Sequence, residues 1–334
     1  MKTKHILAMI HARNMEFLRD RGTFFWNMVF PFFLVFGFAF AFSGDGESVL
    51  TIGVFAETED PGTPAYVDLP GVRYTRYEVL SEAQDQVATH QIDLLIAPAA
   101  GTYTVNPTSQ RGALAERLIL SNGGQDLRRS EVSGEPIRYI DWFVPGVIGL
   151  NMMFSSLFGV GFVIVRYRKN GVLKRLKATP LSSLEFVTAQ MVSRLLIVTV
   201  TSVIVFVGAD LFLSFMMNGS YLLLLLITVV SVITLISFGL VFAARFRSEE
   251  VASGVINVAL WPMLAFSGVF FSLENVPAVM QRVARVFPLT HFLEGTRAVM
   301  LDGAGLGDIA GNLIPLVAMT LVFLVVAAAI FRWE

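Results

Sequence analysis

The sequence predicts an α-helical polytopic membrane protein with six transmembrane helices, a small α/β extracytoplasmic domain after the first span, and re-entrant outer helices before the last. Three observations carry this expectation. Hydrophobic residues make up 54% of the 334, with 29 Phe and only 15% charged residues, far from the averages of soluble domains. Six runs stay apolar over the roughly 20 residues needed to cross about 30 Å of hydrocarbon. Lys and Arg collect in alternate connecting segments although the net charge is only -1, so the position of charge carries information that its sum does not. That sum gives no reason to expect a nucleic-acid partner. The chain has no cysteine, which excludes disulfides, thiolate nucleophiles and cysteine metal sites.

Residues 1–23 read as a cytoplasmic amphipathic elbow helix. Ile6, Leu7, Ile10, Phe17 and Leu18 offer lipid an apolar side, and Lys4, Arg13, Arg19 and Arg21 offer headgroups a cationic one; an ordinary basic flank is the alternative. Residues 24–42 form the first span. Ala39-Phe40-Ala41 resembles a cleavage site, but the apolar stretch before it exceeds the 7–15 residues of a signal-peptide core. Residues 139–334 form a five-span domain with spans at 140–165, 184–213, 221–244, 251–271 and 313–331. Gly146, Gly149, Asn151 and Gly159 interrupt the second span, and Pro262 the fifth, as neighbouring helices allow. Arg194 lies near the inner end of its span, where a long side chain can snorkel to the surface.

The cations set the orientation. Lys2, Lys4, Arg13, Arg19 and Arg21 precede the first span. Arg166, Arg168, Lys169, Lys174, Arg175 and Lys177 lie between spans two and three, Arg245 and Arg247 follow span four, and Arg332 follows span six. With six spans these segments share one face, so both termini are expected in the cytoplasm.

Residues 43–138 then fall outside and carry a soluble pattern. "VLTIGVF", "DLLIAPA" and "TYTV" read as strands, "SEAQDQVATHQI" and "ALAERLILS" as helices. Asp45, Glu47, Glu57, Glu59, Asp60 and Asp68 gather near its start, which reads as a solvated face before a cation site. Residues 272–303 are also outside. Val276, Met280, Val283 and Phe287 recur at helical spacing opposite Arg282 and Arg285, in a stretch too short and charged to span. There His291, Glu294 and Arg297 recur every three residues and can share a helix face. A lone HxxE pair without a third ligand reads as a structural cluster and not as a metal site.

No GxxxxGK[ST] phosphate loop, GxSxG elbow or HExxH helix occurs. The basic stretch "NGVLKRLKATPLS", residues 170–182, is the strongest remaining signal. Gly171 frees a turn, Leu173 and Leu176 make an apolar edge, and Pro180 stops the helix. Two readings stand equal on physics alone: a docking segment for a soluble partner, or a positive-inside anchor touching headgroups.

A resemblance separates them. "RYRKNGVLKRLKATPLS" resembles the coupling-helix signature of ABC exporter permeases of the type 2 family, and "SGVFFSLENVPAVMQRVARVFPLTHFLEGTR" is similar to that family's segment after the fifth span. The resemblance implies that Gly171, Leu173, Arg175, Leu176, Thr179 and Pro180 sit on a nucleotide-binding ATPase subunit, with Arg168, Asn170, Lys174 and Lys177 completing a coupling segment over 168–180. It places Phe270, Phe271, Glu274, Pro277, Pro288, His291, Glu294 and Arg297 on outer re-entrant helices. It also implies no cofactor in this chain, ATP and Mg being held by the partner. Two permease copies would pair, as a homodimer or a heterodimer, with spans two and five at the interface where small residues cluster. An amphiphilic cargo (lipid, drug or natural product) would move outward across the cytoplasmic membrane of a bacterium or archaeon, with membrane lipid as a further partner. The alternative is a polytopic enzyme acting on lipid at the outer face, with His291 and Glu294 as acid or base.

Overall fold

The computed structural model describes residues 2–41, 50–55, 69, 71–178, 182–246, 248–273 and 276–330. The acidic group from Asp45 to Asp68 and the positions Thr179, Pro180 and Glu274 lie outside this description. The chain divides into two compact units, Met1–Ala41 with Ile140–Glu334, and Phe42–Tyr139.

The first unit begins with α1 (Lys2–Arg19) and α2 (Arg21–Ala41). Asp20 separates them and caps α2, accepting from the Thr23 amide at 3.1 Å and the Thr23 hydroxyl at 2.6 Å. An Asp at this position satisfies an orphan helix donor; the hydroxyl bond foremost holds its carboxyl below the usual range.

The second unit contains β1 (Leu50–Phe55), β2 (Val72–Tyr77), α3 (Leu80–Ala88), β3 (Leu94–Ala97), β4 (Thr102–Val105), α4 (Gln110–Ser121) and β5 (Arg128–Glu131). Its sheet runs β2-β1-β3-β4-β5, with only β3 and β4 antiparallel. Side chains alternate across a pleat, and the burial follows that period. Ile52, Leu94 and Ile96 pack with Ala115 and Ile119 of α4, while Leu95 packs with Ala83 and Val87 of α3. Each helix therefore covers one face of the sheet. Ser109 caps α4 by accepting from the Gly112 amide at 2.9 Å. The strands and helices read from the apolar pattern are present; β2 and β5 were not expected.

The first unit resumes with α5 (Tyr139–Ser156), a wider π turn over Leu157–Phe162, and α6 (Val163–Lys169). There follow α7 (Val172–Lys177), α8 (Ser183–Leu213), α9 (Tyr221–Arg245), α10 (Glu249–Phe266), α11 (Ala278–Ala284), α12 (Pro288–Met300) and α13 (Ala310–Ile330). Among the described residues five helical segments are long and apolar enough to cross a membrane: Arg21–Phe40, Tyr139–Lys169, Leu184–Leu213, Tyr221–Arg245 and Ala310–Ile330. The run expected at 251–271 is not among them. Its helix is the 18-residue α10, about 27 Å long, which opens on Glu249 and Glu250. It stops at Ser267 because Gly268 adopts φ +76°, a left-handed conformation that ends helices.

Burial is uneven along these segments. The 18-residue apolar stretch within Tyr139–Lys169 is 72% buried inside the chain, whereas those of α2 and α13 are 11% buried. Its small residues are consumed internally. A Cβ on Gly146 would stand 2.9 Å from the Val269 carbonyl, and one on Gly161 3.0 Å from the carbonyl of Gly239. These two glycines let α9 and the 269 region approach the span's backbone within the chain.

Candidate functional site

The expected coupling segment is a tight corner. Asn170 ends α6, its amide bonding to the Arg166 carbonyl at 3.0 Å, and Gly171 takes φ +67°. A residue with a Cβ would be strained there. α7 follows at once, and α8 begins with a capping box in which Ser182 Oγ accepts from the Glu185 amide and Glu185 accepts from the Ser182 amide at 2.8 Å. Lys174 and Arg175 are exposed.

Leu173 departs from the sequence reading. It is 1% exposed and belongs to the chain's own main core, so it does not present a free apolar edge. A 6-residue helix is too short to hold itself in water, and burial of this leucine tethers it to the bundle. The side chains of Leu176 and Lys177 lie outside the description. Arg168 points back into the protein: its Nη1 donates to the carbonyl of Ala243 at 3.2 Å and to that of Phe246, holding the end of α9. Lys169 Nζ lies 3.7 Å from both Glu249 and Glu250. The backbone amide at the start of α10, then Lys169, hold the exposed Glu250 carboxyl below its usual range. The segment is thus joined to α9 through Arg168 and to α10 through Lys169.

α1 docks beside it. Tyr167 Oη donates to Glu16 at 2.6 Å and accepts from Arg13 at 2.7 Å, Arg13 and Glu16 pair at 2.6 Å, and Ser193 donates to Asn14 at 2.6 Å. The elbow therefore grips α6 and α8 while Leu7 and Leu18 stay exposed.

Between α1, α2, α5, the π turn, α6 and α8 lies a cavity of about 520 Å³. Arg194 lines it but does not snorkel. It is 8% exposed, and its guanidinium donates to the Ser155 carbonyl from Nε at 2.7 Å and also from Nη2, which reaches the Ser155 hydroxyl at 2.8 Å. Gly159 makes room, since a Cβ there would stand 1.9 Å from Arg194 Nε. Ser155 also donates to Asn27 Oδ1, and Asn151 donates to the Asn27 carbonyl at 2.9 Å. Sequence reasoning missed this group; its signal was the scatter of Asn27, Asn151, Ser155, Gln190 and Arg194 through otherwise apolar spans.

The outer residues do not converge. Pro277 precedes α11 and Pro288 opens α12, a position suited to proline. His291 is 5% exposed, with Nε2 at 2.9 Å from the Arg285 carbonyl and Nδ1 at 3.3 Å from Asn312 Oδ1. Glu294 is exposed. Arg297 sits 3.6 Å from the Trp142 ring centroid and donates to the carbonyls of Trp142 at 3.1 Å and Gly268 at 2.9 Å. Phe270 packs on Phe143 at 6.3 Å, and Phe271 is exposed. His291 and Arg297 thus tie α12 to different neighbours, and no group of three metal-ligating side chains forms among the described residues. His291→Gln should lower stability by about 1–3 kcal/mol, the cost of an imperfectly satisfied buried polar group, while Glu294→Gln should stay within about 0.5 kcal/mol and keep transport per inserted molecule. Melting in detergent alongside a transport assay checks both; a stably inserted Glu294→Gln chain with all activity lost would speak for chemistry at this site.

Comparisons with known proteins identify the family. The ABC-2 type transporter family matches residues 84–301, well over half of the chain. The chain is 26% identical over 192 residues to the probable multidrug ABC transporter permease YbhR of Escherichia coli K12, covering 57% of this chain and 52% of that protein. It is 20% identical to the probable multidrug ABC transporter permease YbhS of the same strain, over 98% of this chain and 94% of the other. It is 27% identical to the putative transport permease YvfS of Bacillus subtilis, over 54% of this chain and 73% of that one. The match to YbhR spans about half of that relative's length.

Proposed function

Since the chain belongs to the ABC-2 type transporter family, we propose that it is the transmembrane permease subunit of an ABC exporter, driven by a separate ATPase that docks on residues 168–180. The observation that carries this is the corner at Gly171: two exposed cations, Lys174 and Arg175, on a short helix whose Leu173 is locked into the membrane unit. Cations at a contact rim act mainly on the rate of encounter. The internal ties then turn docking into movement. A displacement of α7 is passed to the core by Leu173, to the end of α9 by Arg168 and to the start of α10 by Lys169. Asn170 and Gly171 supply the bend, and Leu176, Lys177, Thr179 and Pro180 complete the contact. ATP and Mg belong to the ATPase, and this chain contributes no cofactor and no catalysis.

In this reading α10 serves as the fifth of six spans, both termini are cytoplasmic, the α/β unit is extracytoplasmic, and α11 and α12 form the re-entrant outer segment with Phe270, Phe271, Glu274, Pro277 and Pro288. A second copy pairs along α10, whose Val251, Gly254, Val258 and Trp261 are all exposed and recur at the heptad spacing that brings helices together. A homodimer is the simpler arrangement. The cargo is an amphiphile, moved outward across the cytoplasmic membrane of a bacterium or archaeon. The names of YbhR and YbhS carry the word multidrug, which agrees with an amphiphilic cargo here. The enzyme alternative loses support because both ring nitrogens of the buried His291 are engaged by Arg285 and Asn312 while Glu294 stands exposed.

The absence of cysteine allows a direct topology test. Cys at Asn122 should react with an impermeant thiol reagent in intact cells, and Cys at Lys174 only after permeabilisation. Reversed labelling would invert the whole arrangement.

A further inference from the structure

The cavity beside Arg194 has an uncompensated charge. Arg13, Arg166 and Arg194 line it against Glu16 and Asp20, three cations to two acids. The acids are committed elsewhere: Glu16 to Arg13 and Tyr167, and Asp20 to its cap on Thr23. Arg194 has no carboxylate partner among the described residues. Its Nε and Nη2 are held by Ser155, and no acceptor for Nη1 is found among the described residues. A guanidinium with nine-tenths of its surface buried and no counter-ion is costly inside a membrane protein. A second observation points the same way: Gln190, 2% exposed and also lining the cavity, has an Nε2 without a hydrogen-bond partner among the described residues. An anion beside these two groups would accept from both.

The rest of the wall is oily. Phe17, Trp26, Phe30, Phe154 and Phe158 line it, and Trp26, 61% exposed, lies on α2, which shares with α13 the lowest coverage among the apolar segments described. A small free anion gains nothing from such walls, whereas an acyl chain does. We propose that this cavity binds a membrane amphiphile with an anionic phosphate or carboxylate head, the head on Arg194 and Gln190 and the chain along the aromatic wall. The proposal rests on the cavity alone and not on the transport reading.

The test uses the full chain in lipid discs without any ATPase, and reads the fluorescence that Trp26→Phe removes. Brominated phosphatidylglycerol should quench this component at a mole fraction about fivefold lower than brominated phosphatidylcholine, the preference one cationic contact gives near a surface. Arg194→Gln should erase the preference, Arg194→Lys should keep part of it, and Gly159→Ala, which displaces the guanidinium without removing its charge, should weaken it. Gln190→Leu leaves every charge in place and should also weaken it, so a failure of the arginine variants to fold does not shield the claim. Equal quenching by the two lipids, or a preference that survives both Arg194→Gln and Gln190→Leu, would overturn the proposal. Relief of quenching by sodium phosphate, but not by sodium chloride of equal ionic strength, would assign the site to a free anion and overturn the amphiphile.

Discussion

Leu173→Asp is expected to destabilise this subunit itself, before any partner is present. The leucine is 1% exposed within the chain's own core, so the change removes a buried apolar side chain worth about 1.5–3 kcal/mol and leaves a carboxylate without a buried partner, a defect of about 3–5 kcal/mol. Leu173→Met keeps the volume and should cost less than about 1.5 kcal/mol. Thermal melting of the purified chain in detergent distinguishes the two roles open to this residue. A tether gives a large loss of melting temperature for Leu173→Asp with no ATPase in the tube. A free docking edge leaves the melting temperature unchanged and weakens only the complex.

That residue shows where sequence reading reaches its limit. A leucine three places from another in a basic hexamer is apolar on either account, and nothing local says whether its neighbour is the same chain or another. The spans were legible because crossing hydrocarbon demands length and apolarity together, β3 because its residues are continuously apolar, and β1 and β4 because β-branched and aromatic residues dominate them. β5, "RRSE", has no apolar residue at all and exists only through its parallel pairing with β4 from Thr102 to Val105. β2 alternates Val72, Tyr74 with Arg73, Thr75, a strand pattern whose only contrary signal is its two arginines. The end of the fifth apolar run was misplaced because Phe270 and Phe271 extend the hydropathy past Gly268, where the backbone has already turned.

The candidate sites divide the same way. The basic corner was visible because charge in an oily chain stands out, and Gly171 marked its turn. The ties from Arg168 to the Ala243 and Phe246 carbonyls and from Lys169 to Glu249 and Glu250 link residues about 75 to 80 positions apart, which no local pattern encodes. Arg194 was readable as a single charge in a span, but its partner is a backbone carbonyl, and every residue carries one of those. His291, Glu294 and Arg297 share a spacing in sequence, yet each three-residue step still shifts a side chain by about 60° around the helix, enough to leave His291 buried against Arg285 and Asn312, Glu294 exposed, and Arg297 on Trp142 and Gly268.

The central claim is that an ATPase from another chain works through the cations after Gly171. A chain tagged outside this segment, purified in mild detergent from cells that make its ATPase, should carry vanadate-sensitive ATP hydrolysis with it. Lys174→Glu together with Arg175→Glu changes two exposed side chains, so insertion and melting should hold within about 0.5 kcal/mol for each. Reversing two steering charges at a contact turns attraction into repulsion, costs several kcal/mol of pairing, and should reduce the co-purified hydrolysis by an order of magnitude or more. Equal hydrolysis recovered with the wild-type and the double variant, at equal amounts of inserted chain, would contradict the account.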